Sequence, residues 1–188
     1  MKHLTKGIFI IILLLPGLKA YCQQTESTPQ FRREFLEYIN RTRERGCDCG
    51  GAYMPPVQPL VWNDQLEFAA IGHARDMANR NYFSHTSKDG RNVEDRIALA
   101  GYTFKGYKSF NIGENIAMGQ MNIAEVMRGW FKSPGHCKNL MNAEFREVGV
   151  AQSNDYWVQD FGGRLPFSPE EQRLIKSGRY RLVEKNRR

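Results

Sequence analysis

The spacing of apolar and polar positions predicts two long helices in the first half of the chain. Residues 30–45 carry large apolar side chains at helical spacing, and Gly46 is placed to end this helix. A second helix begins after Asn63, an N-cap residue. Its inward face is small and apolar and consists of Leu66, Ala69, Ala70, Ala74 and Met77. The intervening segment 50–59 is too rich in glycine and proline to predict either element.

Shorter helices and three strands are expected in the second half. The predicted helices are Asn92–Ala100, Asn122–Trp130, which begins with a capping box, and Pro134–Leu140. The predicted strands are Ile112–Met118, Val148–Gln152 and Tyr156–Phe161, the last two joined by a hairpin turn at residues 153–155. Helices separated by strands in this uneven order predict one α+β domain or a three-layer α-β-α domain.

The N-terminus has the order of a secretory signal peptide. Two lysines precede the apolar run from Ile8 to Leu15, and the small residue Ala20 follows as a cleavage site. This run is too short to cross a bilayer, which requires about 20 apolar residues. We therefore predict a secreted or periplasmic protein that loses residues 1–20. Lipid anchoring at Cys22 is the less favoured alternative, because Tyr21 stands where a small residue is expected.

The positive charge of the chain is concentrated outside its central part. The sequence has 27 Lys and Arg residues against 20 Asp and Glu residues. Residues 21–163 contain 16 of these basic residues and 17 of the acidic ones, and eight basic residues follow Gly163. Nucleic-acid-binding domains usually carry their cations on the folded domain, so we expect no nucleic-acid partner. The segment after Gly163 is expected to be a solvated tail, with weak attraction to an anionic surface as the alternative.

The cysteines predict one long-range disulfide in an oxidising compartment. A bridge between Cys47 and Cys49 would be strained, because one residue separates them. Cys137 is therefore expected to pair with one of these two, and the remaining cysteine would be free or paired with Cys22. A zinc site built from Cys47, Cys49, Cys137 and a histidine is a further alternative. It is disfavoured because the cysteine pair lacks the usual spacing of zinc ligands.

Three short motifs carry the groups that can bind a metal or move a proton. They are Tyr82-Phe83-Ser84-His85, Gly113-Glu114-Asn115-Ile116-Ala117, and Ser133-Pro134-Gly135-His136 with Asn139 behind it. Imidazole nitrogen and carboxylate oxygen are common ligands of zinc and its neighbours. His85, Glu114 and His136 are therefore candidate metal ligands. The alternative is structural: His136 would cap or pack its helix, and Glu114 would bind buried backbone amides.

The order of these motifs resembles the CAP superfamily, which comprises cysteine-rich secretory proteins, insect venom antigens and pathogenesis-related class 1 plant proteins. Trp130 before the third motif and Tyr156-Trp157-Val158-Gln159 near the end extend the likeness, which is strongest to the bacterial SCP-like branch. The resemblance runs from about residue 31 to 162 and implies an α-β-α sandwich. It divides the chain into a signal peptide (1–20), a linker (21–29), a CAP domain (30–163) and a basic tail (164–188).

The resemblance also implies a cleft with two histidines and two acidic residues, as in many animal and plant members. Three of these positions are matched here, by His85, Glu114 and His136. Ser133 occupies about the place of the second acid. The same is true of bacterial members, in which the tryptophan helix leads directly into Ser-Pro-Gly-His. Glu94 or Asp95 would substitute only if the fold brings them close. Three protein ligands leave one coordination position open, which is typical of a catalytic or exchangeable metal.

Two residues near the motifs receive a structural interpretation. His73 lies at helical spacing with the apolar face of the second helix and is expected to be a core or half-buried histidine. Ser84 is expected to be a turn hydroxyl rather than a nucleophile. Neither a Gly-x-Ser-x-Gly elbow nor a His-Glu-x-x-His zinc helix occurs in the sequence.

These patterns favour a secreted, monomeric, non-enzymatic binding module whose cleft can hold a divalent metal such as zinc. We expect no organic cofactor. Some family members bind sterols or lipids, so the resemblance implies an apolar or lipid ligand, or an envelope surface, as partner. Five aromatic residues in loop-like segments are candidates to line a groove for it: Tyr53, Tyr102, Phe104, Tyr107 and Phe110. The alternative function is a metal-dependent hydrolase that acts on peptide or cell-envelope material.

Overall fold

The computed structural model of the protein describes residues 27–180. This range excludes the predicted signal peptide, Cys22 and the end of the predicted tail. The expectations about cleavage and lipid anchoring therefore concern residues outside the described range. Among the described residues, no helix combines the length and the apolar character that are needed to cross a membrane.

The described chain alternates helices and strands. The helices are α1 (Pro29–Arg43), α2 (Asp64–Arg80), α3 (Val93–Leu99), α4 (Ile123–Lys132), α5 (Pro134–Leu140) and α6 (Pro169–Lys176). The strands are β1 (Cys47–Asp48), β2 (Tyr53–Met54), β3 (Val61–Trp62), β4 (Ser109–Met118), β5 (Glu147–Ser153) and β6 (Tyr156–Leu165).

Four strands form the central sheet, in the order β3-β5-β6-β4. The short strand β3 runs parallel to β5, and the other neighbours are antiparallel. Strands β5 and β6 form the predicted hairpin, with Ser153 paired to Tyr156 across a turn in which Asn154 has a positive φ of 50°. Asparagine tolerates this backbone conformation better than most residues.

Helices cover both faces of the sheet, because successive strand residues belong to different cores. Val150 of β5 packs with α1 and α4, whereas the next residue, Ala151, packs against α2. This alternation is the period-2 pattern of a strand buried on both faces. The predicted α+β fold with a three-layer α-β-α arrangement is therefore confirmed.

Close contact between α2 and the sheet depends on Gly149 of β5. A Cβ atom at this position would lie 1.9 Å from the backbone nitrogen of Glu67 in α2. That distance is far inside van der Waals contact, so only glycine allows the helix to approach this closely. The small alanines that the sequence places on this face of α2 serve the same contact.

Element boundaries differ from the sequence prediction where pairing extends a strand. β4 begins at Ser109 and β6 ends at Leu165, and these two residues are partners, so each extension supports the other. The boundary predicted at residue 163 thus falls inside β6. The expectation of no element in segment 50–59 is wrong at β2, which pairs with β1 across a glycine-rich turn.

A further difference lies in the segment predicted to be a solvated tail. It contains α6, which begins with a capping box between Ser168 and Glu171. The same Glu171 accepts a hydrogen bond from Lys108 at 2.8 Å. Charge composition alone missed this helix, although its Ser-Pro-x-Glu start is a local signal that the sequence carries.

A disulfide joins Cys49 to Cys137, with their Cα atoms 5.5 Å apart, a separation usual for such bonds. Of the two pairings that the sequence left open, the structure has this one, and Cys47 is the free cysteine of the described chain. The bridge connects the loop after β1 to α5, across a sequence separation of 88 residues.

We expect Cys137→Ser to lower the free energy of unfolding of the oxidised protein by about 2–5 kcal/mol, the usual effect of losing a native disulfide. Cys47→Ser is the matched control, because it removes one cysteine and leaves the bridge intact. Chemical unfolding of both variants, with mass spectrometry of the unreduced wild type, measures this. A free Cys137 thiol in the wild type, or equal stability of the two variants, would contradict the assignment.

Candidate metal-binding cleft

The site lies along the edge strand β4, whose successive residues reach opposite helical layers. Glu114 contacts Arg96 of α3, and the next residue, Asn115, contacts Asn139 of α5. Because side chains alternate along a strand, one strand can organise groups from both layers. The strand is also the last one in its sheet, so a loop from one layer and a helix from the other can meet beside it.

Glu114 is the buried centre of one half of the site. Its side chain is 2% exposed. Oε1 lies 2.7 Å from Nδ1 of His85, and Oε2 lies 2.6 Å from Nη2 of Arg96. Burial alone would raise the pKa of Glu114, but the hydrogen bond from His85 and the charge of Arg96 outweigh it. The pKa therefore lies below its ordinary value, and Glu114 is a carboxylate at neutral pH.

Arg96 fixes the loop that carries His85. Its Nη1 donates to the carbonyl oxygens of His85 at 2.9 Å and Arg91 at 3.1 Å, and to the hydroxyl of Ser87 at 3.2 Å. The same guanidinium also binds Glu114. One rigid group therefore contacts both the backbone of His85 and the carboxylate of Glu114. The sequence analysis missed Arg96, since an arginine in a short helix gives no signal that separates it from a surface residue.

His73 holds the same loop from the other side. It is 1% exposed, and its Nε2 lies 2.9 Å from the carbonyl oxygen of Ser84. A carbonyl can only accept, so the proton is on Nε2. Burial lowers the pKa of His73, which favours this neutral form. The prediction of a buried, locally bonded histidine is confirmed. Ser84 likewise accepts a hydrogen bond from the amide of Thr86, as expected of a turn hydroxyl.

These contacts leave one nitrogen of His85 open toward the cleft. The carboxylate of Glu114 accepts the proton of Nδ1, so in the neutral ring Nε2 carries the lone pair. The His85 side chain is 56% exposed. The ring is therefore held at its inner nitrogen and accessible at its outer one.

The second half of the site is His136 on α5, positioned by a network of side-chain amides. Asn115 donates to the carbonyl oxygen of His136 at 3.3 Å and to Gln159 at 3.1 Å. Asn139 donates to Oδ1 of Asn115 at 2.9 Å and to the carbonyl oxygen of Glu114 at 3.3 Å. These bonds explain why the second and third motifs contain their asparagines: they fasten α5 to β4.

Both histidines line one cleft of about 590 Å³. Its polar lining includes His85, Ser133 and His136, and its apolar wall includes Phe83, Ile116, Met118, Val126 and Trp130. Burial lowers the pKa of His136, and the charge of His85 lowers it further. A lowered pKa favours the neutral form of His136, which is the form that can bind a metal ion.

The three predicted ligands do not converge on one point. Within residues 27–180, His85, Glu114 and His136 do not bring a ligand atom each within 4.8 Å of one another. Glu94 and Asp95 do not line the cleft, and Asp95 caps α3 by accepting from the backbone of Asn92. Neither acid therefore takes the place of the missing second carboxylate.

The five aromatic residues that the sequence suggested as the lining of a groove do not line this cleft. Tyr102 is fully buried and donates to Glu147 at 2.7 Å, so it belongs to the core. Phe104 stacks on Phe110 with ring centroids 5.4 Å apart, and Tyr53 lies on β2. The apolar wall comes instead from Phe83 in the loop after α2, from Ile116 and Met118 of β4, and from Val126 and Trp130 of α4.

The CAP family, described as the cysteine-rich secretory protein family, matches residues 36–161 of this chain. The chain belongs to the CAP family. The match includes all three motifs and every residue of the cleft described above.

Two proteins of Bacillus subtilis are similar to this chain in sequence. The uncharacterized Bacillus subtilis protein YkwD is 30% identical over 140 residues, which are 73% of this chain and 49% of YkwD. The uncharacterized membrane protein YlbC of the same organism is 35% identical over 102 residues, 54% of this chain and 28% of YlbC. This chain thus spans about half of YkwD and less than a third of YlbC.

Solved structures with the same fold come from two other bacteria. An extracellular protein of Bacillus anthracis that contains an SCP domain has a TM-score of 0.57 and 29% identity, covering 72% of this chain and 44% of that one. An outer surface protein of Borrelia burgdorferi has a TM-score of 0.57 and 23% identity, covering 74% of this chain and 96% of that one. The second likeness shows the fold alone.

Asp160 lies opposite Glu114 in the β4–β6 ladder and is fully buried. Among the described residues, neither of its carboxylate oxygens has a hydrogen-bond partner. Burial, and then the negative charge of Glu114, raise the pKa of Asp160 well above its ordinary value. Ionisation of Asp160 is therefore less favourable in the folded protein than in the unfolded chain.

The raised pKa predicts a stability that falls with pH. The contribution of Asp160 is full below its unfolded pKa of about 4 and is lost as pH rises through the folded pKa. Asp160→Asn stays neutral, so its stability relative to the wild type should grow as pH rises above about 4 and through the folded-state pKa of Asp160. Urea unfolding across this range measures the trend. Asp155→Asn, on the exposed β5–β6 turn, is the control, and a pH-independent difference for Asp160→Asn would contradict the prediction.

Proposed function

We propose that this chain is an exported binding module whose cleft binds a divalent metal ion, with zinc as first candidate, through His85 and His136. The observation that carries the proposal is the arrangement of the two imidazoles. They come from opposite layers and line one cleft, and the inner nitrogen of His85 is already bound to a buried carboxylate. Metal-binding histidines usually donate their second ring N–H to such a group.

Glu114 has a supporting role in this proposal. Both of its oxygens are engaged, one by His85 and one by Arg96. Direct ligation would require it to give up one of these contacts. Glu114 instead fixes the tautomer and the ring orientation of His85. With two protein ligands, the ion keeps exchangeable positions for water or a ligand group, which suits reversible binding better than a structural role.

The apolar wall of the cleft supports an apolar or lipid ligand next to the ion. Phe83 is 47% exposed and Met118 is 50% exposed, which is high for large apolar side chains that border a cavity. A cleft with a few polar groups at one side and an apolar wall at the other is the usual form of a small-molecule site. The ion would hold a polar head group while the wall contacts an apolar chain.

Export is part of the proposal and rests on three observations. The N-terminal residues have the order of a signal peptide. The Cys49–Cys137 bridge is of a kind that persists in oxidising compartments. The similar Bacillus anthracis protein is described as extracellular. We expect a monomer. We also expect no nucleic-acid partner, because residues 21–163 carry 16 basic against 17 acidic residues.

We expect zinc binding to weaken at acidic pH, because coordination requires neutral imidazole. Since burial lowers the pKa of His136, this residue keeps its neutral form to a pH below 6.5, the ordinary value for histidine. Isothermal calorimetry should show that His85→Ala and His136→Ala each weaken binding. Glu114→Gln, which removes the charge but keeps the shape, should weaken it about 10–100-fold, as is usual for a residue that orients a ligand. Ser133→Ala is the matched control, because it changes the cleft lining without removing an imidazole.

Ser133→Glu offers a test in the opposite direction. It adds a carboxylate to the cleft lining at about the place where many family members carry their second acid, so zinc should bind more tightly. Equal zinc affinity of the wild type, His85→Ala and His136→Ala would contradict the proposal, provided that thermal unfolding shows the variants to be folded.

A metal-dependent hydrolase is the second candidate, and the His85–Glu114 hydrogen bond is the observation that favours it. A histidine held by a carboxylate can act as a general base. Ser84, next to that histidine in sequence, accepts a hydrogen bond from the amide of Thr86 and so has the position of a turn hydroxyl. A binding module therefore accounts for the geometry with fewer assumptions.

We expect no hydrolysis above the level of a Glu114→Ala control on a broad panel of peptides, esters and cell-envelope fragments, with or without zinc. If Glu114 and His136 were acid and base, replacing either would reduce turnover on the order of 100-fold or more. Saturable, metal-dependent turnover that disappears in Glu114→Ala would establish the hydrolase instead.

A further inference from the structure

The three cysteines of the described chain meet at one point outside the histidine cleft. Cys49 and Cys137 form the disulfide, and the sulfur of Cys47 lies 3.8 Å from that of Cys49 and 3.7 Å from that of Cys137. Within residues 27–180, they are the only group of three or more His, Cys, Asp or Glu residues whose ligand atoms all lie within 4.8 Å of one another.

The backbone holds each of these sulfurs in place. Cys47 is on β1, in register with Met54 of β2, and Cys49 follows it with its amide bonded to the carbonyl oxygen of Ala52 at 2.8 Å. Cys137 is on α5 and packs against Met141, away from the cleft that His136 lines. Cys49 and Cys137 are buried, whereas Cys47 is half-buried. The cluster is thus preformed, with one sulfur toward solvent.

The position of Cys47 does not suit exchange with the disulfide. A thiolate displaces a sulfur by approaching along the S–S axis, but Cys47 is nearly equidistant from the two bonded sulfurs and therefore stands beside the bond. Exchange would need a movement of β1.

The same distances suit a metal. Zinc–sulfur bonds are about 2.3 Å long, so two sulfurs of a tetrahedral site lie about 3.8 Å apart. Both separations that involve Cys47 already have this value, and only the bonded pair must move apart. We propose that the protein with its disulfide reduced binds zinc or a similarly thiophilic divalent ion through Cys47, Cys49 and Cys137.

The chemistry balances with an external thiol as reductant. Two thiol molecules give two electrons and two protons to the Cys49–Cys137 bond and leave as one disulfide, which produces two protein thiols. The ion then binds three thiolates and displaces three protons. No histidine or acidic residue of the described chain joins the cluster, so water or an added ligand completes the fourth position on the side of Cys47.

This site would keep α5 attached to the β1–β2 hairpin when the disulfide is open. The metal and the disulfide link the same segments, so one cluster would provide a bridge under both oxidising and reducing conditions. The proposal depends on residues that do not include His85 and His136, and it stands or falls separately from the function proposed for the cleft.

Cobalt(II) titration of the reduced protein tests the proposal, because cobalt takes the zinc geometry and gives a thiolate-to-metal charge-transfer absorption. All proteins carry Cys22→Ser, which removes the fourth cysteine of the sequence. We expect the absorption to saturate at one equivalent in the reduced protein, to be absent in the oxidised protein, and to disappear when zinc is added. Cys47→Ser should bind at least about tenfold more weakly.

Two further measurements make the result decisive. The double variant His85→Ala with His136→Ala should keep the absorption, whereas its loss in a folded variant would show that the thiolate site depends on the cleft histidines and would overturn the proposal. Near-ultraviolet circular dichroism should show the metal-bound reduced protein folded, even if reduction alone disturbs it. Absence of the absorption, equal affinity of Cys47→Ser, or binding without a folded signal would each overturn the proposal.

Discussion

The buried ion pair between Arg96 and Glu114 is the contact on which the cleft depends. The two side chains are 5% and 2% exposed, so each charge relies on the other. Breaking such a pair by removing one partner usually costs about 3–5 kcal/mol, because an unpaired charge stays buried. The same guanidinium holds the carbonyl oxygen of His85, and the same carboxylate holds its ring. The orientation of one cleft histidine thus follows from a charge pair in the core.

Strand β4 lies at the edge of the sheet, and it contacts helices of both layers. Glu114 and Asn115 point to different faces of the sheet, so one strand holds His85 through α3 and His136 through α5. In an interior strand, both flanks would be occupied by neighbouring strands. The cleft therefore forms where the sheet ends and the two helical layers can approach each other.

Helix α5 connects the cleft to the cysteine cluster. His136 and Cys137 are adjacent in sequence, yet one lines the cleft and the other packs under the β1–β2 hairpin. On the side of the cleft, the amides of Asn115 and Asn139 hold this seven-residue helix. On the side of the β1–β2 hairpin, the sulfur cluster holds it. A helix this short has little stability of its own, so these two attachments determine where His136 lies.

The sequence by itself determined the layered fold, the hairpin and the histidines, because periodicity, capping residues and turn residues act locally and the three motifs are distinctive. It also placed His73 in the core. Only the tertiary structure decided which partners the side chains of these motifs contact. In the folded chain, Glu114 binds His85 and Arg96 and does not share a metal position with both histidines. Cys137 pairs with Cys49 and not with Cys47, and the five aromatic candidates lie outside the cleft. These outcomes depend on contacts between residues far apart in the chain, and local patterns do not encode such contacts.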